Sequence, residues 1–209
     1  MSRLFVPGFG AVPAFYRPAL SADWIVHEPP SFRRAGSFRA RVQAVRDQLE
    51  RLDGPVTLAG HSMGAALAVT VALEQPERVE RLVLVGPAGL PLTKPMRDSL
   101  RDCFGQIGER VYAPRELARV VLSALVAPRA TLELARAVRA LDLRSQLEEL
   151  GRRGIPTDVV GCVGDTLTPV DHCRRIAGLA GARYREVDVR GGHMWMLFEP
   201  GALAALLAH

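Results

Sequence analysis

Apolar positions change their period repeatedly along the chain. "RLFV" is a short apolar run that stops at Pro7-Gly8 and reads as a buried strand. "DWIVHE" reads as a second. Phe38, Val42, Val45, Leu49 and Leu52 then recur at steps of four, three, four and three, one apolar stripe along a helix. Asp53-Gly54-Pro55 closes that helix. "VTLAG" is a strand, "AALAVTVALEQ" a helix apolar on every side, and Pro76 ends it. "RLVLVG", "TDVVGCVG" and "RYREVDV" give three more strands, and "GALAALLAH" a terminal helix. Strands that alternate with helices predict an α/β fold: a mostly parallel open sheet of six strands with helices on both faces.

One stretch breaks this alternation. From Leu90 to about Leu150 the pattern is helical, with no convincing strand. Pro114 and Pro128 sit where helices begin, and Thr131 is a candidate cap. The stretch is several times longer than one crossover needs. Residues 91–150 are therefore expected to form a helical cap inserted into a single domain spanning 1–209, over the sheet edge where such folds bind ligands.

Composition fits one globular domain: 209 residues, 48% hydrophobic and 23% charged, are enough for a sizeable core. No apolar run approaches the ~18 residues of a membrane span, and the opening "MSRLFVPGFG" is too short and broken for a signal peptide. The net charge of +5 comes almost wholly from arginine, with Lys94 the lone lysine. Arg39, Arg41, Arg46 and Arg51 fall at helix-face spacing and read as solvated faces, so no nucleic-acid partner is expected. Cys103, Cys162 and Cys173 form no CxxC pair, which argues against a disulfide framework and a zinc site. Cys162 reads as strand packing, and a reducing cytoplasmic setting is expected.

The chemistry concentrates at "VTLAGHSMGAALAV". A strand that turns straight into a helix brings backbones close together, and Gly60 and Gly64 give the room. The central Ser62 is then held strained, with its hydroxyl projecting from the sheet edge and the N-terminus of a helix beneath it. A plain helix cap is the simpler reading of Ser62, and strand-before, helix-after argues against it. A serine needs a base, and the base needs a carboxylate to fix its tautomer. His193, in the glycine-rich "VRGGHMWM" after the last strand, is the candidate base. His61 should point away from the serine, and His27, His172 and His209 are less well placed. Asp165 follows a strand in "VGDTLTP" and is the candidate carboxylate; Asp171, beyond Pro169, is the alternative, and Asp188 lies within the last strand pattern. The oxyanion needs two backbone donors. Met63 N–H, at the start of the helix, is one candidate; Phe9 N–H in "PGFGAVP" is the other, with Gly10 its alternative.

These motifs resemble those of the α/β-hydrolase superfamily. "VPGFG" is similar to its oxyanion loop, "GHSMG" to its nucleophile elbow, "VGDTLTP" to its acid turn and "GGHMWMLFEP" to its histidine loop, in the order Ser62, Asp165, His193. Two departures stand out. The oxyanion loop begins Pro7-Gly8 where the family usually has His-Gly, and, with the sequence opening on the strand that leads to that loop, the family's first two strands, an antiparallel edge hairpin, are expected to be absent from it. The resemblance implies a serine hydrolase that cleaves a small or medium hydrophobic ester or thioester through an acyl-enzyme, with no metal or organic cofactor. Phe15, Tyr16, Met194 and Trp195 are expected to meet substrate, with Phe9, Val12, Met63, Phe104 and Tyr112 nearby. Carbon–carbon bond hydrolysis, cofactor-free perhydrolysis and a non-catalytic ligand receptor on the same fold remain open.

Overall fold

A computed structural model describes residues 2–95, 97, 98, 101, 102, 105 and 114–208. All six expected strands are there: β1 Ser2–Val6, β2 Trp24–Val26, β3 Val56–His61, β4 Val79–Val85, β5 Thr157–Cys162 and β6 Arg183–Val187. They form one sheet in the order β2-β1-β3-β4-β5-β6, and every pairing is parallel. The chain steps from β1 to β2 in one direction and then continues through β3 to β6 in the other. The order therefore reverses between β1 and β3, and a ligand crevice forms beyond the carboxyl ends of strands at such a reversal.

Register and pleat divide the core in two. Leu4, Leu58 and Leu82 are partners across three strands, and so are Phe5, Ala59 and Val83 one position on. Successive side chains point to opposite faces. The first set packs under α1 (Phe38–Glu50), α2 (Met63–Glu74), α5 (Arg144–Arg153) and α6 (Val170–Leu179). The second set faces α7 (Pro200–Leu207), the 3-10 turns Pro13–Phe15 and Arg17–Ala19, and the 3-10 segment Gly192–Leu197. Among the described residues, then, four α-helices lie on one face of the sheet and one on the other, so large side chains from turns fill the second core: Phe15, Tyr16 and Trp195 are each at most 1% exposed.

Two further helices, α3 (Pro114–Val126) and α4 (Pro128–Arg139), start at the expected prolines. Thr131 does not cap α4. The N-cap is Ala127, and the Thr131 hydroxyl, inside the helix, donates back to the Ala127 carbonyl. Leu147 and Leu150 of α5 are buried in the core under α2 and α6, so this helix belongs to the layer on the sheet. Cys103, Phe104, Tyr112 and His209 lie outside the described residues.

Candidate active site

The site starts from the crossing of β1, β3 and α2. A Cβ on Gly64 would fall against the carbonyl oxygens of Val6 and Pro7, and one on Gly60 against the Gly64 carbonyl. Only glycine lets α2 leave β3 this close to β1. Ser62, between them, has φ 55° and ψ −120°, and is the lone non-glycine residue with positive φ among those described. Strain of this kind costs on the order of 1–3 kcal/mol and persists only where the surroundings enforce it. Here the Ser62 N–H donates to the Val85 carbonyl at 2.9 Å, and its own carbonyl accepts from Ala65 and Ala88. The Ser62 hydroxyl does not cap α2. Among the described residues it makes no hydrogen bond, His193 included.

Asp165 and His193 meet across two loops. His193 Nδ1 lies 2.7 Å from Asp165 Oδ2. With a carboxylate facing it, Nδ1 is the protonated nitrogen, which leaves Nε2 as the one able to accept a proton. The carboxylate also accepts from the Leu167 N–H (2.8 Å), the Thr168 N–H (2.9 Å) and the Thr168 hydroxyl (2.7 Å). Burial alone would raise the Asp165 carboxyl; the His193 imidazole and these donors outweigh it and hold the carboxyl below the usual carboxylate range. Neither rival carboxylate fits this role. Asp171 sits exposed in the first turn of α6, paired with Arg174, and Asp188 is exposed past the end of β6. His27 pairs with Gln48 and His172 with the Pro87 carbonyl.

His61 makes no hydrogen bond to the serine, but it is not idle. Its Nε2 lies 3.0 Å from the His193 carbonyl, which can only accept, so Nε2 carries the proton and Nδ1 accepts from the Tyr16 hydroxyl at 2.8 Å. The Tyr16 oxygen accepts in turn from the Gly8 N–H at 3.2 Å. One chain of hydrogen bonds therefore ties the loop after β1 to the histidine loop. Burial lowers the His61 pKa to about 3, so the ring stays neutral. The link stands where the resemblance had left the Pro7-Gly8 loop without an imidazole. Phe9, Gly10 and Met63 make no loop or turn backbone hydrogen bond among the described residues, so all three N–H groups remain available as donors.

Ser62 and His193 open onto one cavity of about 440 Å³, walled mainly by Phe9, Leu92, Leu117, Val121, Leu125 and Val138. Of the four side chains expected to meet substrate, Met194 lines this cavity. Phe15, Tyr16 and Trp195 do not; they fill the core behind the sheet. Thr168 and the linking role of Tyr16 were missed from sequence. Thr168 had a signal, a hydroxyl three residues after an aspartate at a turn. Tyr16 had none, because its partner is 45 residues away. Among the described residues no three His, Cys, Asp or Glu side chains gather to hold a metal ion, and no helix is long and apolar enough to cross a membrane.

The model of the alpha/beta hydrolase family matches residues 4–206. The chain belongs to that family. A Mycobacterium phage D29 protein, provisionally named a non-heme haloperoxidase, is 26% identical over 171 residues, 72% of this chain and 61% of its own length. The chain therefore spans less than two thirds of that relative. The pyrrolizixenacetamide deacetylase of Xenorhabdus hominickii is 25% identical over 222 residues, 91% of this chain and 81% of its own. Among solved structures, an esterase from Exiguobacterium antarcticum superposes with a TM-score of 0.77 at 19% identity, over 100% of this chain and 91% of the esterase. At that identity the likeness concerns the fold.

Proposed function

We propose that the protein is a serine hydrolase that cleaves a small or medium hydrophobic ester or thioester through an acyl-enzyme. The observation that carries this is a strained, uncapped Ser62 sharing one apolar cavity with an Asp165–His193 pair at 2.7 Å. In this reading His193 Nε2 takes the Ser62 proton as the oxygen attacks the carbonyl. Met63 and Phe9 N–H groups hold the oxyanion, and Asp165 stabilises the imidazolium. His193 then protonates the leaving group and activates the water that frees the acid. The cap over the serine is supplied by α3 and α4, which close the apolar cavity, while α5 belongs to the layer on the sheet. The two described cysteines are buried and unpaired, which supports a reducing, cytoplasmic setting.

A second reading draws on the name of the phage relative: hydrogen peroxide in place of water would intercept the same acyl-enzyme and release a peracid. Both are tested with p-nitrophenyl esters of rising chain length, with and without peroxide, on wild type and Ser62→Ala. Turnover and fluorophosphonate labelling should vanish in Ser62→Ala. Wild type with neither turnover above the alanine variant nor labelling would sink the catalytic reading and favour a ligand receptor.

A further inference from the structure

A second cavity, of about 330 Å³, adjoins the first and shares Gly10, Ala11, Phe32 and Val120 with it. Its character is different. Arg17, Arg41 and Arg119 line it, opposed by Glu28 and Glu116, so three cationic side chains face two anionic ones. Arg17, Arg119 and Glu28 are exposed and can turn to solvent. Arg41 cannot, since it is 4% exposed. Among the described residues its guanidinium makes no hydrogen bond or ion pair, and its Nε is sealed from solvent without a partner. It lies over the face of Phe32, 5.0 Å from the ring centroid, and its charge also bears on His27.

A buried guanidinium without a hydrogen bond or ion pair is an expensive group to keep, since burial penalises the charge and the two glutamates of the cavity wall do not reach it among the described residues. It also sits in the first turn of α1 beside Arg39, where the helix dipole disfavours cations. Stacking on Phe32 holds the planar fork in place, with the N–H groups of its two Nη atoms left for an oxyanion to take up in bidentate fashion. Burial lowers its pKa to about 10, so it remains charged at neutral pH.

We propose that the cavity at Arg41 is a subsite for an anionic group, a carboxylate or a phosphate, carried on one arm of the substrate. This rests on the serine hydrolase reading and narrows it: the preferred ester or thioester is anionic at one end and apolar where it meets Ser62. The wall shared by the two cavities includes Gly10 and Ala11, in the same loop as the proposed oxyanion donor Phe9, so one substrate would reach both.

Two measurements test this. The first is thermal melting of wild type, Ser62→Ala, Arg41→Met and Arg41→Gln with glutarate or inorganic phosphate, at constant ionic strength. Glutarate or phosphate should raise the Tm of wild type and Ser62→Ala saturably, and neither Arg41 variant should respond; which anion acts tells a carboxylate arm from a phosphate one. The second compares kcat/KM for the p-nitrophenyl half-ester of glutaric acid with that of a neutral ester of matched length. Wild type should favour the anionic ester by about tenfold or more, the scale of a charge-assisted hydrogen bond. In Arg41→Met that ratio should fall toward one. No saturable shift in wild type, the same shift in both Arg41 variants, or a ratio unmoved by Arg41→Met overturns the proposal. Because the melting arm includes Ser62→Ala, it decides the subsite even if the protein proves to have no esterase activity.

Discussion

Asp165 and Arg41 are buried to the same depth, each 4% exposed, and yet they are treated in opposite ways. Asp165 is surrounded by donors: an imidazole, two backbone N–H groups and a hydroxyl. Arg41 has an aromatic face and no acceptor among the described residues. His61, 1% exposed, takes a third course and gives up its charge. Asp158, also 4% exposed, shows how a purely structural charge is handled on this fold: Arg81 and Arg183 each approach it at 2.5 Å. A buried charge with all its partners inside the protein is complete. One without them points to a partner from outside.

This contrast can be broken at its strongest point first. Asp165→Asn keeps the shape but removes the charge and favours the wrong His193 tautomer, so kcat for a p-nitrophenyl ester should fall by about 10³–10⁴-fold. A loss within tenfold would mean that Asp165 is only a structural charge like Asp158. Thr168→Val takes away one of the four donors and makes Asp165 more like Arg41. A hydrogen bond to a charged group contributes about 1.5–3 kcal/mol, so kcat should drop roughly ten- to a hundredfold, with little change in KM.

The neutral His61 has a signature in pH. Its folded pKa, near 3, lies below the unfolded value of 6.5, so the unfolded chain binds the extra proton between those limits. Stability should therefore fall as pH drops from 6.5 toward 3. The unfolding free energy from urea titrations across that window should fall less steeply in His61→Phe, by at most about 1.4 kcal/mol per pH unit, the value for one proton. His27 and His172, also lowered mainly by burial, keep part of the slope. An unchanged slope would mean that His61 charges freely in the folded protein. The smallest effect has the opposite sign. Without ligand, Arg41→Met should stabilise the protein by about 1 kcal/mol, because it removes a charge that lacks a partner. A clear loss of stability would show that the guanidinium is satisfied after all.

Much of this was legible in the chain. The strand runs and the stripe from Phe38 to Leu49 were read correctly because a period of two or of 3.6 is imposed by backbone geometry before any tertiary contact forms. Gly60, Ser62 and Gly64 were legible because few reasons other than crowding put glycines on both sides of a serine at a strand–helix turn. Arg41 was misread as a solvated face: helical spacing tells which residues share a side, not what that side meets, and here it meets Phe32. Phe15, Tyr16 and Trp195 were misassigned to the cavity because the sequence does not show that one sheet face has a single α-helix and needs aromatic rings to fill it.

The sequence by itself determined the alternation of elements, the strained turn at Ser62 and the order in which serine, acid and histidine follow one another. Those are local matters, set by side-chain period and by the room a glycine leaves. Tertiary structure alone decided which charges are completed, because a partner such as His193 for Asp165, or its absence for Arg41, depends on segments far apart in the chain being folded against each other.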